Sequence, residues 1–322
     1  MYKNKKIAVV VPAYQEERLI GETLSSIPEY VDKIYAVDDG STDRTFEIMQ
    51  EFAKKDSRII CIKHDKNRGP GAAIVTGYRR ALQDKMDIVA VMAGDNQMDP
   101  AYLPDLLEPI IEGRADYTKG NRLLNPEYRK GMSKWRFFGN SILTFLTKIA
   151  SGYWQVIDPQ NGYTAISRRA LERIDLDSIY PWYGYPNDIL VKLNVYGFRV
   201  IDVPHPARYG REKSKIKYSR YILKVSWLLL RDFFWRLKMK YIILSFHPIV
   251  LFYLFGIVFT LLGTFIGLYT LYYKFVLGGP LFVRGVLSAL LFIIGLQFLS
   301  FAMLFDMQAE SAEKSAEDKI RA

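Results

Sequence analysis

The chain is predicted to be an α/β protein, a mostly parallel sheet with helices on both faces, followed by amphipathic interfacial helices and two transmembrane helices. Three observations carry this. Short β-branched runs at Ile7 to Val11, Ile34 to Val37, Ile59 to Ile62 and Ile88 to Met92 alternate with helical patterns near Gly21 to Ser26, Thr45 to Lys55, Gly71 to Leu82 and Tyr102 to Glu112. Each run ends in a polar loop, and open parallel sheets bind their ligands beyond the carboxyl ends of the strands. Two stretches carry no charge, 25 residues from Ile249 to Tyr273 and 21 from Gly285 to Phe305, against roughly 20 needed to cross a bilayer as helix.

The pattern divides the chain into an α/β domain at 1–210, juxtamembrane interfacial helices at 211–245, a transmembrane hairpin at 246–306 and a polar tail at 307–322, read as a frayed helix or disordered. The link from Lys274 to Pro280 leaves no room for a domain on the far side, so the chemistry lies on one face of the membrane. Between Arg208 and Lys240 eleven Lys or Arg stand against Glu212 and Asp232, nearly the whole formal net charge of +10. Juxtamembrane positive charge marks the cytoplasmic side, which places the α/β domain and both termini in the cytoplasm. Such a surface suits anionic lipid headgroups and argues against a nucleic-acid footprint. Lys217, Arg220, Lys224 and Arg231 share one helical stripe. Tyr221, Ile222, Val225, Leu228 and Leu229 form the apolar side of a helix expected in the headgroup layer, with Trp227 and Trp235 nearby. The single Cys61 reads as buried core, and no signal peptide precedes Lys5. A hairpin of this kind can pack against copies of itself, so a homo-oligomer stays open.

The strand-end loops are Pro12-Ala13-Tyr14-Gln15-Glu16, Asp38-Asp39-Gly40-Ser41-Thr42-Asp43, Asn67-Arg68-Gly69-Pro70-Gly71-Ala72-Ala73 and Ala93-Gly94-Asp95-Asn96-Gln97-Met98-Asp99. Carboxylates at strand ends can accept hydrogen bonds from a base or ribose, and can hold a hard divalent cation that in turn binds a diphosphate. The combination suggests a nucleotide-diphosphate ligand held by a metal. Other readings compete at single positions. Asp39, Ser41, Thr42 or Asp43 could cap the next helix, Gly69 and Gly71 could mark a tight helix start, and Asp99 could be a solvated loop acid. A dehydrogenase fingerprint is not matched, because Ile74 stands where a third glycine is needed.

Taken together, these loops resemble the inverting GT-A glycosyltransferases of family 2. Later segments resemble its polyprenyl-phosphate (dolichyl-phosphate) group: Lys119-Gly120-Asn121-Arg122, Asp158-Pro159-Gln160-Asn161-Gly162-Tyr163, and the basic run from Arg208 to Lys215. The resemblance implies a GT-A, Rossmann-like catalytic domain. It implies that Pro12, Ala13, Tyr14, Glu16, Asp38 and Asp39 hold the base and ribose of a nucleotide-diphosphate sugar, with Asn67, Gly71 and Gly94 in the same nucleotide site. Asp95, helped by Gln97, would bind Mg2+ or Mn2+; the family's acid two residues earlier is replaced by Ala93, and Asp99 is a candidate substitute. Arg122, Arg136, Arg208 and Arg211 are candidates for the phosphate of a polyprenyl or dolichyl phosphate acceptor, since a guanidinium fork donates two bonds to one phosphate. Arg136 could equally be a basic position on a membrane-facing helix.

The chemistry also follows from the reactants. A leaving nucleoside diphosphate needs its growing charge stabilised by metal and cationic donors. A lipid phosphate, with a second pKa of about 6, is largely a dianion at neutral pH and needs no strong general base. Asp95, Arg122, Asp158 and Asp188 are the catalytic candidates; Asp158 is read as positioning the donor sugar or an arginine, and Asp188 as a possible helix-start acid for a helix Asp188 to Tyr196. Single displacement would give a β-linked lipid-phosphate sugar from an α-linked donor. Two alternatives remain: a processive polysaccharide synthase, whose Gln-x-x-Arg-Trp motif is absent, and a non-catalytic membrane module that binds sugar nucleotide.

Overall fold

The computed structural model describes residues 1–125, 134–206 and 218–321, with side chains over 1–125, 138–206 and 221–312. It comprises two compact units, Met1–Phe233 and Phe234–Ala322. The first is built on β1 (Ile7–Ala13), β2 (Lys33–Asp38), β3 (Ile59–Lys63), β4 (Ile88–Val91), β5 (Tyr117–Asn121), β6 (Thr164–Ser167) and β7 (Val200–Pro204), in the spatial order β3-β2-β1-β4-β6-β5-β7. β3, β2, β1 and β4 run parallel, β5 and β7 are parallel to each other, and β6 is antiparallel to both of its neighbours. The strand order reverses between β1 and β4, and a crevice opens at such a switch point.

The alternation of side chains along each strand sorts the core into two layers. Ala8, Val10, Tyr35, Val37, Val89 and Val91 face α3 (Pro70–Gln83), α6 (Arg168–Arg173) and α7 (Tyr185–Val195). Ile7, Val9, Val11, Ile34, Ala36 and Ala90 face α1 (Ile20–Ser26), α2 (Thr45–Ala53) and α4 (Leu103–Ile111). Strands buried on both faces read as continuous apolar runs, which is why the four predicted strands match the observed ones to within two residues. Cys61 is only half-buried, because β3 is the edge of the sheet. Gly77 lets α3 approach β1: a Cβ there would lie 2.4 Å from Val10 Cγ1. α7 starts at Tyr185, before the expected Asp188, because Gly184 and Pro186 open it; proline at the first turn gives up no helical hydrogen bond.

Two further helices complete this unit, α5 (Lys134–Ser151) and most of α8 (Tyr218–Arg236). The apolar side of α8 departs from expectation. Val225, Leu228 and Leu229 are buried against the protein, with Leu228 Cδ2 only 2.6 Å from a Cβ built on Gly184, so they do not face lipid. Leu223, Trp227 and Leu230, spaced four and three apart, form the outward face instead.

The second unit holds the end of α8, a π-helical turn at Leu237–Leu244, α9 (Ile249–Leu277) and α10 (Phe282–Arg321). α9 and the first 31 residues of α10 are each long and apolar enough to cross a membrane. Small residues set their close antiparallel contact: Gly256 meets Leu299, Thr260 meets Gly295, Gly263 meets Phe292 and Gly267 meets Ser288, whose hydroxyl donates to Gly263 O at 2.8 Å. α9 outruns its expected end at Tyr273 and stops where Gly278 takes a left-handed conformation. The polar stretch after Asp306 stays helical to Arg321 rather than being disordered, consistent with its Ala, Glu and Lys content.

One ion pair inside this unit is fully buried. Arg236 Nη1 and Nη2 donate to Asp306 Oδ1 and Oδ2 at 3.0 and 2.9 Å, and the Tyr241 hydroxyl donates to the same carboxylate. Asp306→Ala leaves the guanidinium buried without its charge partner and is expected to destabilise the unit by about 3–5 kcal/mol, while Arg236→Met with Asp306→Leu recovers most of that. Unfolding of each variant in detergent micelles measures both effects.

Candidate active site

At the switch point the loops after β1, β2 and β4 hold one another by backbone. Asp39 N–H donates to Ala13 O at 2.9 Å, and Gly94 N–H to Pro12 O at 3.0 Å. Gly94 is required here, since a Cβ would lie 2.8 Å from that of Ala13. Ser41 Oγ accepts from Gln15 N–H and Thr45 Oγ1 from Glu16 N–H, at 2.9 and 2.8 Å. Gln15 and Asn96 both have positive φ, +57° and +56°; such backbone strain outside glycine gathers at functional sites. Pro12, Ala13, Tyr14, Glu16, Asp38 and Asp39 are thus brought together, and Tyr14 is the exposed member.

The two acids where β2 ends, Asp38 and Asp39, are spent differently. Asp38 accepts from Ser41 N–H within its own turn. Asp39 reaches across to the loop after β3: Oδ1 accepts from His64 Nδ1 at 2.7 Å and Arg68 N–H at 3.0 Å, and Oδ2 from Gly69 N–H at 2.7 Å. Asn67 Oδ1 accepts from the same Gly69 N–H at 3.1 Å. His64, which the sequence did not single out, is buried and bridges Asp39 to Thr76 Oγ1. Asp43 does not occupy the N-cap of α2, which is Arg44, but its Oδ1 still accepts from the first helical N–H, that of Thr45, at 3.1 Å.

Gly69 and Gly71 serve an internal contact. Their missing Cβ atoms would lie 2.4 Å from Pro181 O and 2.3 Å from Tyr180 O, and Ala72 N–H donates to Pro181 O. The segment from Tyr180 to Tyr185 therefore covers the helix start where Gly71 was expected to meet nucleotide. Asp188 lies behind this segment, fully buried: Oδ2 accepts from Tyr180 N–H at 2.6 Å and Oδ1 pairs with the Lys192 ammonium. Arg231 approaches Asp188 at 3.9 Å and pairs with Asp232 at 2.8 Å; burial and the neighbouring Asp188 push the Asp232 carboxyl up to about 7.

In the loop after β4, Gln97 N–H donates to Asp95 Oδ1 at 3.1 Å. Asp99 Oδ1 caps the following 3-10 turn through Ala101 N–H at 2.9 Å, which commits it to the backbone. Among the described residues no three His, Cys, Asp or Glu side chains converge as a metal site. The donor set, one carboxylate beside the switch-point backbone, fits an ion of the Mg2+ class that takes its remaining oxygens from substrate phosphates and water.

Across the switch point the loop before β6 is locked to the end of β5. Arg122 Nε and Nη2 donate to Asp158 Oδ2 and Oδ1 at 2.8 and 3.1 Å, Arg122 N–H adds a third bond to Oδ2, and Lys119 donates to Asp158 O. Burial pushes the Asp158 carboxyl up, but the charge of Arg122 and then of Lys119 outweighs it and holds the carboxyl below the usual range. Asp202 on β7 accepts from Asn121 Nδ2 and Ile157 N–H at 2.7 and 2.8 Å. His205 Nδ1 faces the Pro206 carbonyl, which can only accept, and Nε2 faces Asn161 Nδ2, whose amide is oriented by Tyr163 N–H at Asn161 Oδ1. The ring is thus neutral; burial first, then the positive charge of Arg122, lowers its pKa. Gly120 makes room for it, since a Cβ would lie 2.3 Å from His205 Nε2. Asp202 and His205 carry no motif signal beyond their type, whereas Asn161 stands in the Asp158 to Tyr163 segment; the pairing of alternate strands is what joins them. The side chain of Arg136 and all of Arg208 and Arg211 lie outside the described residues.

Residues 8–175, half of the chain, match the model of glycosyl transferase family 2. A UDP-N-acetylglucosamine–dolichyl-phosphate N-acetylglucosaminyltransferase of Methanococcus voltae is 34% identical over 182 residues, covering 52% of this chain and 72% of its own. A dolichol-phosphate mannosyltransferase of Pyrococcus furiosus is 30% identical over 239 residues, 68% of this chain and 63% of its own. The fold is that of glucosyl-3-phosphoglycerate synthase from Mycobacterium tuberculosis, solved with Mn2+ and UDP, with a TM-score of 0.54 at 20% identity over 72% of this chain and 80% of that one.

Asp158→Asn is expected to cost on the order of 3 kcal/mol, because the Arg122 guanidinium loses the buried carboxylate that is its counter-charge. A carboxyl depressed in the folded state contributes stability that is full above its unfolded pKa, about 4, and is lost as pH falls through the lower folded value. Urea midpoints between pH 6 and pH 2 should therefore fall more steeply for the parent than for the variant. Asp43→Ala should cost about 1 kcal/mol by the same assay, the worth of a helix-start hydrogen bond.

Proposed function

Because this chain is a glycosyltransferase belonging to family 2, we propose that it transfers a hexose from a nucleotide-diphosphate sugar to a polyprenyl or dolichyl phosphate, with inversion, on the cytoplasmic face of a membrane. The observation that carries the reading is the conjunction, in one chain, of a family 2 site with two helices long and apolar enough to span a bilayer. The two named relatives, whose acceptors are dolichyl phosphates, support the acceptor class.

The base and ribose lie along the loops after β1 and β2, with Tyr14 and Glu16 beside Asp38 and Asp39. The diphosphate lies at the loop after β4. Asp95, with Gln97 beside it, would hold Mg2+ or Mn2+, which when bound stabilises the charge that develops on the leaving diphosphate. An oxygen of the lipid phosphate forms a bond to the anomeric carbon as the bond from that carbon to the diphosphate oxygen breaks, and the nucleoside diphosphate departs with the electron pair. The commitment of Asp158 to Arg122 and of Asp188 to Lys192 suits this chemistry. Neither carboxylate is placed as a general base, and a phosphate dianion requires none. Arg122, with Arg136, Arg208 and Arg211, would meet the acceptor's phosphate.

A lipid surface as partner is supported by exposed apolar side chains on adjacent helices of the first unit. Phe138, Ile142 and Phe145 line one stripe of α5 and Leu223, Trp227 and Leu230 one stripe of α8, with Ile222 Cδ1 3.4 Å from a Cβ built on Gly139. Aromatic and aliphatic side chains flanked by Lys224 and Arg231 are what an interfacial helix presents to headgroups.

The test is a panel of radiolabelled UDP- and GDP-sugars with a short polyprenyl phosphate in detergent, with and without chelator. Label is expected in an organic-soluble product, abolished by Asp95→Ala. Absence of any lipid-linked product with every donor overturns the reading, and full activity of the Asp95 variant overturns the assigned cation site.

A further inference from the structure

Gln160 occupies an unusual position in the loop before β6. Asn161 N–H donates to Asp158 O at 3.1 Å, so residues 158 to 161 form a turn with Pro159 at its second position and Gln160 at its third. The flanking polar side chains are satisfied, Asp158 by Arg122 and Asn161 by His205 and Tyr163 N–H. Gln160 between them is not: its Oε1 and Nε2 are both shut off from solvent and neither has a hydrogen-bond partner among the described residues. A buried amide left unpaired is costly, and such groups in folded proteins call for an explanation. The residue as a whole is only half-buried, so rotation about its side-chain torsions can turn the amide outward.

We propose that Gln160 is a specificity-determining residue that binds hydroxyl groups of the donor's sugar; this rests on the nucleotide-sugar reading above. Position selects the sugar over the rest of the donor. The loop that carries Gln160 abuts the loop after β4: Tyr163 OH donates to Asp99 O at 3.0 Å, and a Cβ on Gly162 would lie 3.3 Å from Met98 Cε. With the base at the ends of β1 and β2 and the diphosphate at β4, the next strand position, β6, lies roughly 10 Å from β1 at sheet spacing, on the side where the hexose extends. Chemistry selects it too. A primary amide offers two donors and an acceptor, which matches neighbouring hydroxyls that each donate and accept, whereas phosphate oxygens would leave Oε1 unpaired.

Calorimetry of the full-length protein in detergent with UDP, GDP and their sugar conjugates tests this without any acceptor. The substitution Gln160→Met removes the amide at nearly constant volume, and Gln160→Glu keeps the acceptor but not the donor. Both are expected to bind the free nucleotide like the parent. Both should bind the sugar nucleotide about 10- to 100-fold more weakly, the worth of one or two hydrogen bonds. The loss should shrink for a deoxy-sugar donor lacking the recognised hydroxyl. The thermal midpoint of Gln160→Met without ligand should equal or exceed that of the parent, because the amide it removes is unpaired, whereas loss of a structural amide would lower it. Equal sugar-nucleotide affinity in parent and variants, or parallel loss of nucleotide and sugar nucleotide, overturns the assignment of Gln160. Failure of the parent itself to bind any sugar nucleotide overturns the donor reading instead.

Discussion

The bidentate pair between Arg122 and Asp158 is the constraint on which the far wall of the site depends. β5 and β6 are antiparallel neighbours, and the long excursion between them returns through the loop that carries Asp158. Nothing in sheet pairing fixes where that loop lies. Three hydrogen bonds from Arg122 and one from Lys119 do, and Asp202 adds a fifth through Ile157 N–H. A carboxylate this buried is tolerable only because its charge is met by two cations, and removal of either partner leaves a charge stranded in low dielectric. Position and stability are thereby linked: the pair that stabilises the loop also orients the Arg122 guanidinium and sets Gln160 and Asn161 at the crevice.

The same logic recurs through the protein. Asp39 is satisfied by His64 and two backbone N–H groups, Asp188 by Lys192 and Tyr180 N–H, and Asp306 by Arg236 and Tyr241. Asp39 and Asp306 tie together elements distant in sequence, while Asp188 fixes the start of its own helix to the segment just before it. Surface ion pairs of comparable length are worth little because solvent screens them. The stabilising and positioning roles fall to the buried pairs, where each carboxylate also accepts hydrogen bonds from neutral donors.

Local patterns were legible in the sequence, and choices of partner were not. Runs such as Ile7 to Val11 had to be strands because both faces are buried, and the loops that follow stand where open parallel sheets bind their ligands. The charge-free stretches declared themselves by length alone. The sequence could not say that Gly69 and Gly71 make room for the backbone of Tyr180 and Pro181, since the contact joins positions about 110 apart. His64 and Asp202 carried no signal for the same reason. For α8 the periodicity was read correctly but the side was not: an apolar stripe cannot declare whether it meets lipid or protein, and Val225, Leu228 and Leu229 meet protein.

Ala93 gives the site its particular thermodynamic character. A second carboxylate there would add one fixed, charged oxygen donor to the proposed cation site. On the proposed function Asp95, with Asp99 committed to its cap, would hold a hard cation only weakly by itself, because such ions need about six oxygens and release water reluctantly. On the proposed function the missing ligands come from the donor's diphosphate, so cation and sugar nucleotide bind as a coupled pair. The coupling is reciprocal: each raises the other's affinity by the same factor. The departing diphosphate carries more charge than the donor did, so a cation held by Asp95 as its one carboxylate would leave with it more readily than one held by two.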